Sequence, residues 1–158
     1  MTGLYFEELE PALTIEHAVT RTVTETDNLL FTTLTMNVQP LHLDSEFAKN
    51  SPYGERIVNS VFTLGVVVGI PVGDTTLGTT LGNLGFEEIA FPAPVLIGDT
   101  LRVETEILSR RESKSRPDTG IVRFEHRGFN QDDKLVCKVQ RSGLMLKKPV
   151  EPAASPAS

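Results

Sequence analysis

The stretch Ile57-Val-Asn-Ser-Val-Phe-Thr-Leu-Gly-Val-Val-Val-Gly-Ile70 decides the fold, because it is apolar on nearly every side. Its length favours a helix and its β-branched residues favour a strand, so periodicity alone leaves both open. We predict a helix, because Gly65 and Gly69 lie four residues apart and would give one bare face against which a sheet packs closely. Asn59 and Thr63 then share another face. The stretch is therefore predicted to be a buried central helix.

Strand patterns flank this helix on both sides. The segment Thr100-Leu-Arg-Val-Glu-Thr-Glu-Ile107 alternates apolar and charged residues, as a half-exposed antiparallel strand does. Ile121–Phe129 and Lys134–Leu146 follow, joined by turn-forming residues that predict a hairpin. Ile15–Thr24, rich in Thr and Val, predicts one strand ahead of the helix. A central helix with several antiparallel strands indicates an α+β fold in which the helix packs on one sheet face.

Composition limits the class of protein. With 158 residues, 39% of them hydrophobic, the chain is expected to form one domain over residues 1–148. Residues 149–158 are rich in Pro, Ala and Ser and are expected to be a disordered tail, since they bury too little apolar surface to offset chain entropy. The formal charge of −6 argues against a nucleic-acid partner, which needs a basic face.

Other functional classes also lack support in the sequence. The only cysteine, Cys137, excludes an internal disulfide framework and is predicted to be a buried structural thiol. No Cys/His cluster has the spacing of a zinc site, so no metal is expected. No apolar run approaches the roughly 20 residues that span a bilayer. The acidic N-terminus lacks the features of a signal peptide, so a cytoplasmic location is expected.

Three blocks in order carry a family resemblance: Asn37-Val-Gln-Pro-Leu-His-Leu-Asp44, Tyr53-Gly-Glu-Arg-Ile-Val-Asn-Ser60 and Gly85-Phe-Glu-Glu-Ile-Ala-Phe-Pro-Ala-Pro-Val-Leu-Ile-Gly-Asp99. From about Thr24 to Leu146, the chain resembles the MaoC-like hydratases, the family of R-specific 2-enoyl-CoA hydratases. The resemblance implies a hot-dog fold, in which an antiparallel sheet wraps a central helix. It also implies a homodimer or higher homo-oligomer that binds acyl-CoA near its interface. The CoA thioester is the substrate, and no cofactor is expected.

In that family an Asp is followed five residues later by a His, and the pair holds the water that adds to the double bond. His42 matches the His and is the expected catalytic residue, but Asn37 stands where the Asp is usual. Hydration needs a base for the water proton, a proton for C2 and donors for the enolate charge. An imidazole can act as that base near neutral pH. Asn37 exchanges no proton, so we expect it to orient water.

Other expected site residues also come from the resemblance. The family segment Ile-Ala-His-Gly reads Ile-Val-Asn-Ser here, ending at Ser60, whose backbone N–H can still serve the thioester oxygen. Asn59 replaces a His and is expected to bind substrate, with its exact role open, and Gln39 is expected to help orient water or a carboxylate. The basic loop that holds Arg111, Lys114 and Arg116 is a candidate for the CoA phosphates, since these need cationic donors.

The departures from the family pattern look most like the branch that hydrates mesaconyl-CoA and itaconyl-CoA. Those substrates carry a free carboxylate. An ionised Asp at position 37 would repel it by roughly 4 kcal/mol at about 4 Å and an effective dielectric near 20. Asn37 removes that repulsion, so we interpret the substitution as an adaptation to a dicarboxyl substrate.

Two alternatives stay open. A hot-dog thioesterase would release free thiol, whereas hydration consumes the enoyl group and releases none. A non-catalytic acyl-CoA-binding subunit would bind enoyl-CoA and leave it unaltered, and the missing Asp favours it. For His42 itself, the structural alternative is a loop histidine hydrogen-bonded to Asp44.

Overall fold

The fold is built on one antiparallel sheet. A computed structural model describes residues 3–150 of the chain. Within these residues the strands are β1 (Thr14–Glu16), β2 (Arg21–Thr22), β3 (Thr80–Ala90), β4 (Thr100–Glu112), β5 (Thr119–Phe129) and β6 (Leu135–Leu146). The sheet order is β1-β4-β5-β6-β3, and the two-residue β2 also pairs with β4. The long strands β4, β5 and β6 therefore form the centre of the sheet.

The alternation predicted for the first long strand is confirmed in β4. Leu101, Val103, Thr105 and Ile107 are buried, while the charged residues between them point to the other face. The predicted hairpin is confirmed too, because β5 and β6 pair from Thr119–Leu146 to Phe129–Leu135. Cys137 is buried, as predicted. Burial raises the pKa of its thiol to about 11, so this thiol is unreactive near neutral pH.

The N-terminal strand is where the prediction was wrong. Instead of one strand over Ile15–Thr24, two short strands flank a break at residues 17–20. Between the pairs Glu16–Glu104 and Arg21–Leu101, the N-terminal chain advances five residues and β4 only three. The two extra residues bulge out of the ladder and interrupt the pairing, which resumes at Arg21, as bulges at sheet edges do.

Five α-helices lie within the described residues. They are α1 (Glu25–Leu34), α2 (Pro40–Leu43), α3 (Ser45–Lys49), α4 (Ser60–Gly69) and α5 (Val72–Thr75). The predicted central helix is confirmed as α4, which contacts β4, β5 and β6. It is covered on one side only, since Val61 on its other side is 56% exposed.

The predicted reason for close packing was wrong. A Cβ placed on Gly65 or Gly69 would meet nothing within 4 Å, so these glycines face away from the sheet. The close approach occurs at Gly128 of β5, where an added Cβ would lie 2.4 Å from a methyl carbon of Val67. The strand therefore supplies the bare surface, and the helix supplies the side chain.

Three apolar clusters fill the space over the sheet. The one that positions the site consists of buried side chains between the start of α4, the start of β4 and the segment after β3. Its members are Val23, Val58, Ala93, Val95, Leu101 and Val136. A second cluster around Val67 lies under the middle of α4, and a third is covered by the N-terminal segment at Phe6 and Leu9. The site therefore lies at one end of the sheet.

The C-terminal residues and the lengths of the helices bear on two further predictions. The predicted tail, residues 149–158, lies outside the described residues from position 151 onward. In the part that is described, none of the helices has the length and apolar character needed to cross a bilayer. Residence in the cytoplasm stays a prediction.

Candidate active site

His42 lies on the one-turn helix α2, which begins at Pro40. Its ring Nδ1 is 2.8 Å from the backbone carbonyl oxygen of Ile57. A carbonyl oxygen only accepts, so Nδ1 carries the proton in this contact and donates it. The other ring nitrogen, Nε2, then has a free lone pair in the neutral imidazole. The bond to Asp44 that the structural alternative requires does not form, because the Asp44 side chain caps α3. The ring is therefore held as a base.

Asn37 lies between α1 and α2 and is half-buried. Its Oδ1 accepts the backbone N–H of Gln39 at 3.0 Å, and its own N–H bonds to the carbonyl of Thr32 at the end of α1. The preceding Met36 has a φ of 57°, in the left-handed region that ends many helices. The side-chain NH₂ of Asn37 has no acceptor within residues 3–150, which leaves it available for water or substrate.

The start of α4 holds Asn59 and Ser60. Asn59 is buried and caps the helix, since its Oδ1 accepts the N–H of Val61 at 3.0 Å. Within the chain, Asn59 is therefore the helix cap, and its substrate-binding role stays a prediction. Ser60 is exposed, and its N–H has no acceptor in the part of the chain that the structure describes. A free N–H at a helix N-terminus suits a developing negative charge.

A cavity of about 310 Å³ opens beside the start of α4. It is lined by Tyr53, Ile57, Val58, Ser60, Thr63, Phe91, Pro92, Ala93, Pro94, Val95 and Val136. The segment from Phe91 to Pro94 thus both follows strand β3 and lines the cavity. This volume lies at the small end of the range for ligand pockets. A second cavity, which Gln39 and Leu41 line, shares Tyr53 with it.

The basic residues predicted to bind phosphate lie elsewhere. Arg111 is near the end of β4, and Lys114 and Arg116 are exposed in the turn that follows. The cavity-lining residues Val58, Val95 and Val136 pack with Leu101 at the start of β4. A strand advances roughly 3.3 Å per residue, so about 30 Å of strand separates the two regions. Within one chain the structure does not bring these three residues to His42. A phosphate contact from them would have to come from another copy of the chain.

Sequence reasoning missed a buried polar chain on the same sheet. The Arg141 Nε–H donates to His126 Nε2 at 2.9 Å, and His126 Nδ1 lies 2.7 Å from Thr105 Oγ1. Thr105 Oγ1 is 2.8 Å from His17 Nε2, and His17 Nδ1 is 2.8 Å from Asp74 Oδ2. Because Arg141 only donates, His126 Nε2 accepts, and the neutral His126 ring then donates from Nδ1 to the Thr105 hydroxyl.

His126 is therefore neutral, and both histidines are buried. Burial, followed by the charges of Arg141 and His17, holds the pKa of His126 well below its usual value. Burial also lowers the pKa of Arg141 to about 10. His17 and His126 are hydrogen-bonded within the core and are not solvated. They take no part in the candidate site at the start of α4.

An antiparallel sheet packed against a helix, with a cavity and an imidazole beside the start of that helix, defines a hot-dog protein with a binding site at the helix N-terminus. The MaoC-like domain model matches residues 8–129, and the chain belongs to that family. The expected fold is confirmed by a Mycobacterium tuberculosis protein described as a double hot-dog fold, with a TM-score of 0.82 at 22% identity. That likeness covers 99% of this chain and 48% of that one.

Two further relatives are more similar in sequence. The mesaconyl-CoA hydratase of Cereibacter sphaeroides is 32% identical over 155 residues, which are 98% of this chain and 44% of that protein. A solved structure from Archaeoglobus, described as a monoamine oxidase regulatory protein, has a TM-score of 0.83 at 30% identity and covers 94% of this chain and 98% of its own. The chain spans less than half the length of the first curated relatives it matches.

Proposed function

We propose that this chain reversibly adds water across the double bond of a 2-enoyl-CoA thioester. A methyl-branched dicarboxyl-CoA such as mesaconyl-CoA or itaconyl-CoA is the proposed substrate. The observation that carries the proposal is the His42 ring, whose Nδ1 bonds to the Ile57 carbonyl and whose Nε2 is left as a base. Membership of the MaoC-like family and the likeness to a mesaconyl-CoA hydratase support it.

The proposed reaction uses four groups of the chain. His42 Nε2 takes one proton from water as the water oxygen bonds to C3 of the substrate. The electron pair of the double bond moves toward the thioester oxygen, where the Ser60 N–H stabilises the charge. The protonated His42 then returns its proton to C2, so that one water is added in full. Asn37 and Gln39 orient the water or the substrate carboxylate.

A direct assay tests the proposal. The protein is incubated with mesaconyl-, itaconyl- and crotonyl-CoA, while enoyl absorbance and free thiol are followed together. We expect the absorbance to fall without release of thiol, and to fall faster with a dicarboxyl substrate than with crotonyl-CoA. Release of thiol in step with substrate loss would instead establish a thioesterase.

Two observations favour a second candidate, a non-catalytic acyl-CoA-binding subunit. Asn37 replaces an ionisable residue, and the chain spans less than half the length of the first curated relatives, so a second half could supply the missing acid. Measurable binding of enoyl-CoA with no change in absorbance after long incubation would favour this role.

We also propose a homodimer as the working form. Strand β3 is an edge strand that exposes Leu81, Leu84, Phe86 and Ile89. An unpaired edge with apolar side chains favours pairing with another strand. Light scattering is expected to give about twice the chain mass of 17.3 kDa. Leu84→Glu should shift this value toward one chain, whereas Val19→Glu, an exposed change away from β3, should not.

A further inference from the structure

Asn28 is a polar residue in an unexpected place. It lies in the second turn of α1 and is only 1% exposed, while its neighbours Leu29 and Leu30 are 42% and 55% exposed. A helix that turned its apolar residues to the core would have the opposite arrangement. A buried amide costs free energy unless it is hydrogen-bonded. The partners of Asn28 therefore explain its position.

Those partners are the two segments that form the candidate active site. The Asn28 Nδ2–H donates to the backbone carbonyl of His42 at 3.0 Å. Asn28 Oδ1 accepts the backbone N–H of Asn59, also at 3.0 Å. Asn59 caps α4 and directly precedes Ser60. One side chain thus joins the backbone of the proposed base to the residue before the proposed thioester-binding N–H.

A longer set of contacts closes a ring around the same residue. The Thr32 hydroxyl lies 3.5 Å from Asn28 Oδ1 and accepts from Asn59 Nδ2 at 3.4 Å. Thr32 is fully buried, and Asn59 is nearly so. In a water-free setting such polar contacts are stronger than on the surface and fix one arrangement of their members. The first helix is thereby joined to the cap of α4.

We infer that Asn28 is a positioning residue that sets the His42 ring relative to the Ser60 N–H. This inference rests on the proposed hydratase function. Asn28 acts through the backbone of other residues and touches no substrate. An amide is needed there, because it presents a donor and an acceptor from one planar group. Asp has the same shape but lacks the donor, so its carboxylate would face the His42 carbonyl.

The test is Asn28→Asp, with Asn130→Asp as the matched control. Asn130 is also buried, and it uses only its Oδ1, which accepts from Asp132 and Lys134, so Asp preserves its role. Rates are measured on the alkaline plateau, where the imidazole is neutral in both proteins. We expect kcat to fall by about 100-fold for Asn28→Asp, since displacement of a reacting group by about 1 Å has an effect of that size.

The division between kcat and KM distinguishes positioning from general damage. Because the residues that line the cavity are unchanged, KM is expected to change by less than about threefold for Asn28→Asp, and neither constant should change for Asn130→Asp. A folded Asn28→Asp protein with wild-type kcat, or one whose loss is entirely in KM, would overturn the inference. If that variant does not fold, Thr32→Val replaces it, with an expected kcat loss of roughly 3- to 10-fold and the same criteria.

A second readout separates this inference from the proposed function. Nitrogen NMR of the His42 ring reports whether Nδ1 still donates to Ile57, whether or not the protein is an enzyme. We expect the ring signals to shift in Asn28→Asp and to stay in place in Asn130→Asp. If the wild type hydrates no enoyl-CoA but the ring signals shift, the proposed function fails and the positioning role stands. Unshifted signals in a folded Asn28→Asp protein would contradict the role.

Discussion

The His42 ring has one nitrogen bonded to a backbone carbonyl and one left to react. His42→Gln tests this division, because the Gln amide can still donate to Ile57 but cannot exchange a proton. We expect kcat/KM to fall by about 10²- to 10⁴-fold, the usual contribution of a general base. The thermal unfolding temperature should stay close to that of the wild type. Full activity in a folded His42→Gln protein would exclude His42 as the base.

Asn37 is the residue that we expect to set the preference for a substrate carboxylate. In Asn37→Asp, a repulsion of roughly 4 kcal/mol corresponds to a factor of up to about 10³ in kcat/KM for dicarboxyl substrates. A monocarboxyl substrate such as crotonyl-CoA should not lose activity in this way. The measurement is the ratio of kcat/KM for mesaconyl-CoA and crotonyl-CoA in both proteins. An unchanged ratio would remove the adaptation argument.

The short family motifs predicted the residues of the proposed site, but they did not predict Asn28, which hydrogen-bonds to two of the segments that form it. The spacing of Asn37 and His42 and the position of Ser60 follow from the family blocks, and the structure brings His42 and Ser60 to the same end of the sheet. Asn28 was missed, since its burial depends on where the cap of α4 packs. The only local signal was an Asn among residues that should form an amphipathic helix.

At the scale of secondary structure, the contact between Gly128 and Val67 governs how closely α4 approaches the sheet. In Gly128→Ala, the new methyl would overlap the Val67 side chain. We expect a loss of about 1–3 kcal/mol in the free energy of unfolding, as for other overpacked cores. Urea unfolding followed by circular dichroism measures it.

The matched control for this change is Gly73→Ala. Gly73 is exposed in the short helix α5, and an added Cβ there would meet nothing within 4 Å. Ala is favoured over Gly in a helix by roughly 0.5–1 kcal/mol, so this variant should be unchanged or slightly more stable. Equal effects of the two variants would mean that the Val67 contact does not limit the packing.

The elements themselves were predicted where the pattern was long. Helix α4 and strands β4, β5 and β6 follow from sustained apolar or alternating runs, which local physics decides. The break at residues 17–20 was missed because it depends on pairing with β4, which lies far away in the sequence. The side of α4 that meets the sheet was also mistaken, since Gly65 and Gly69 match either side equally well.

For the whole molecule, the series of buried hydrogen bonds from Arg141 to Asp74 predicts a loss of stability in mild acid. The folded protein keeps His126 neutral with a lowered pKa, whereas the unfolded chain protonates it near pH 6.5. Above about pH 6.5 neither the folded nor the unfolded state binds this proton, so the free energy of unfolding has its full value. Below that value the unfolded state gains the proton, and stability falls by up to about 1.4 kcal/mol per pH unit.

Urea unfolding at about pH 7.5, 6.5 and 5.5 checks this prediction. Carboxylates affect stability only at lower pH. Burial alone would raise the pKa of Glu125, but hydrogen bonds from Gln140 and Lys138 outweigh burial and lower it. The contribution of Glu125 to the free energy of unfolding is therefore lost only below about pH 4.5. His126→Gln should flatten the decline between pH 6.5 and 5.5. An equally steep decline in that variant would show that another group is responsible.

The class of fold could be predicted for the molecule as a whole, but its complete site could not. The resemblance over Thr24–Leu146 predicted the hot-dog architecture, which was confirmed. The phosphate role of Arg111, Lys114 and Arg116 gains no support from one chain, because they lie at the other end of β4. Charge alone indicates a possible ligand but does not determine the distance to the reacting groups.

The central claim is that the chain adds water to C3 of an enoyl-CoA and leaves the thioester intact. Incubation of mesaconyl-CoA with the protein in water labelled with a heavy oxygen isotope, followed by mass spectrometry, tests it most directly. The claim predicts a hydroxyacyl-CoA that carries the label on its acyl group, formed by the wild type and nearly absent with His42→Gln. Label found only in a free acid, with unlabelled CoA thiol released, would contradict it.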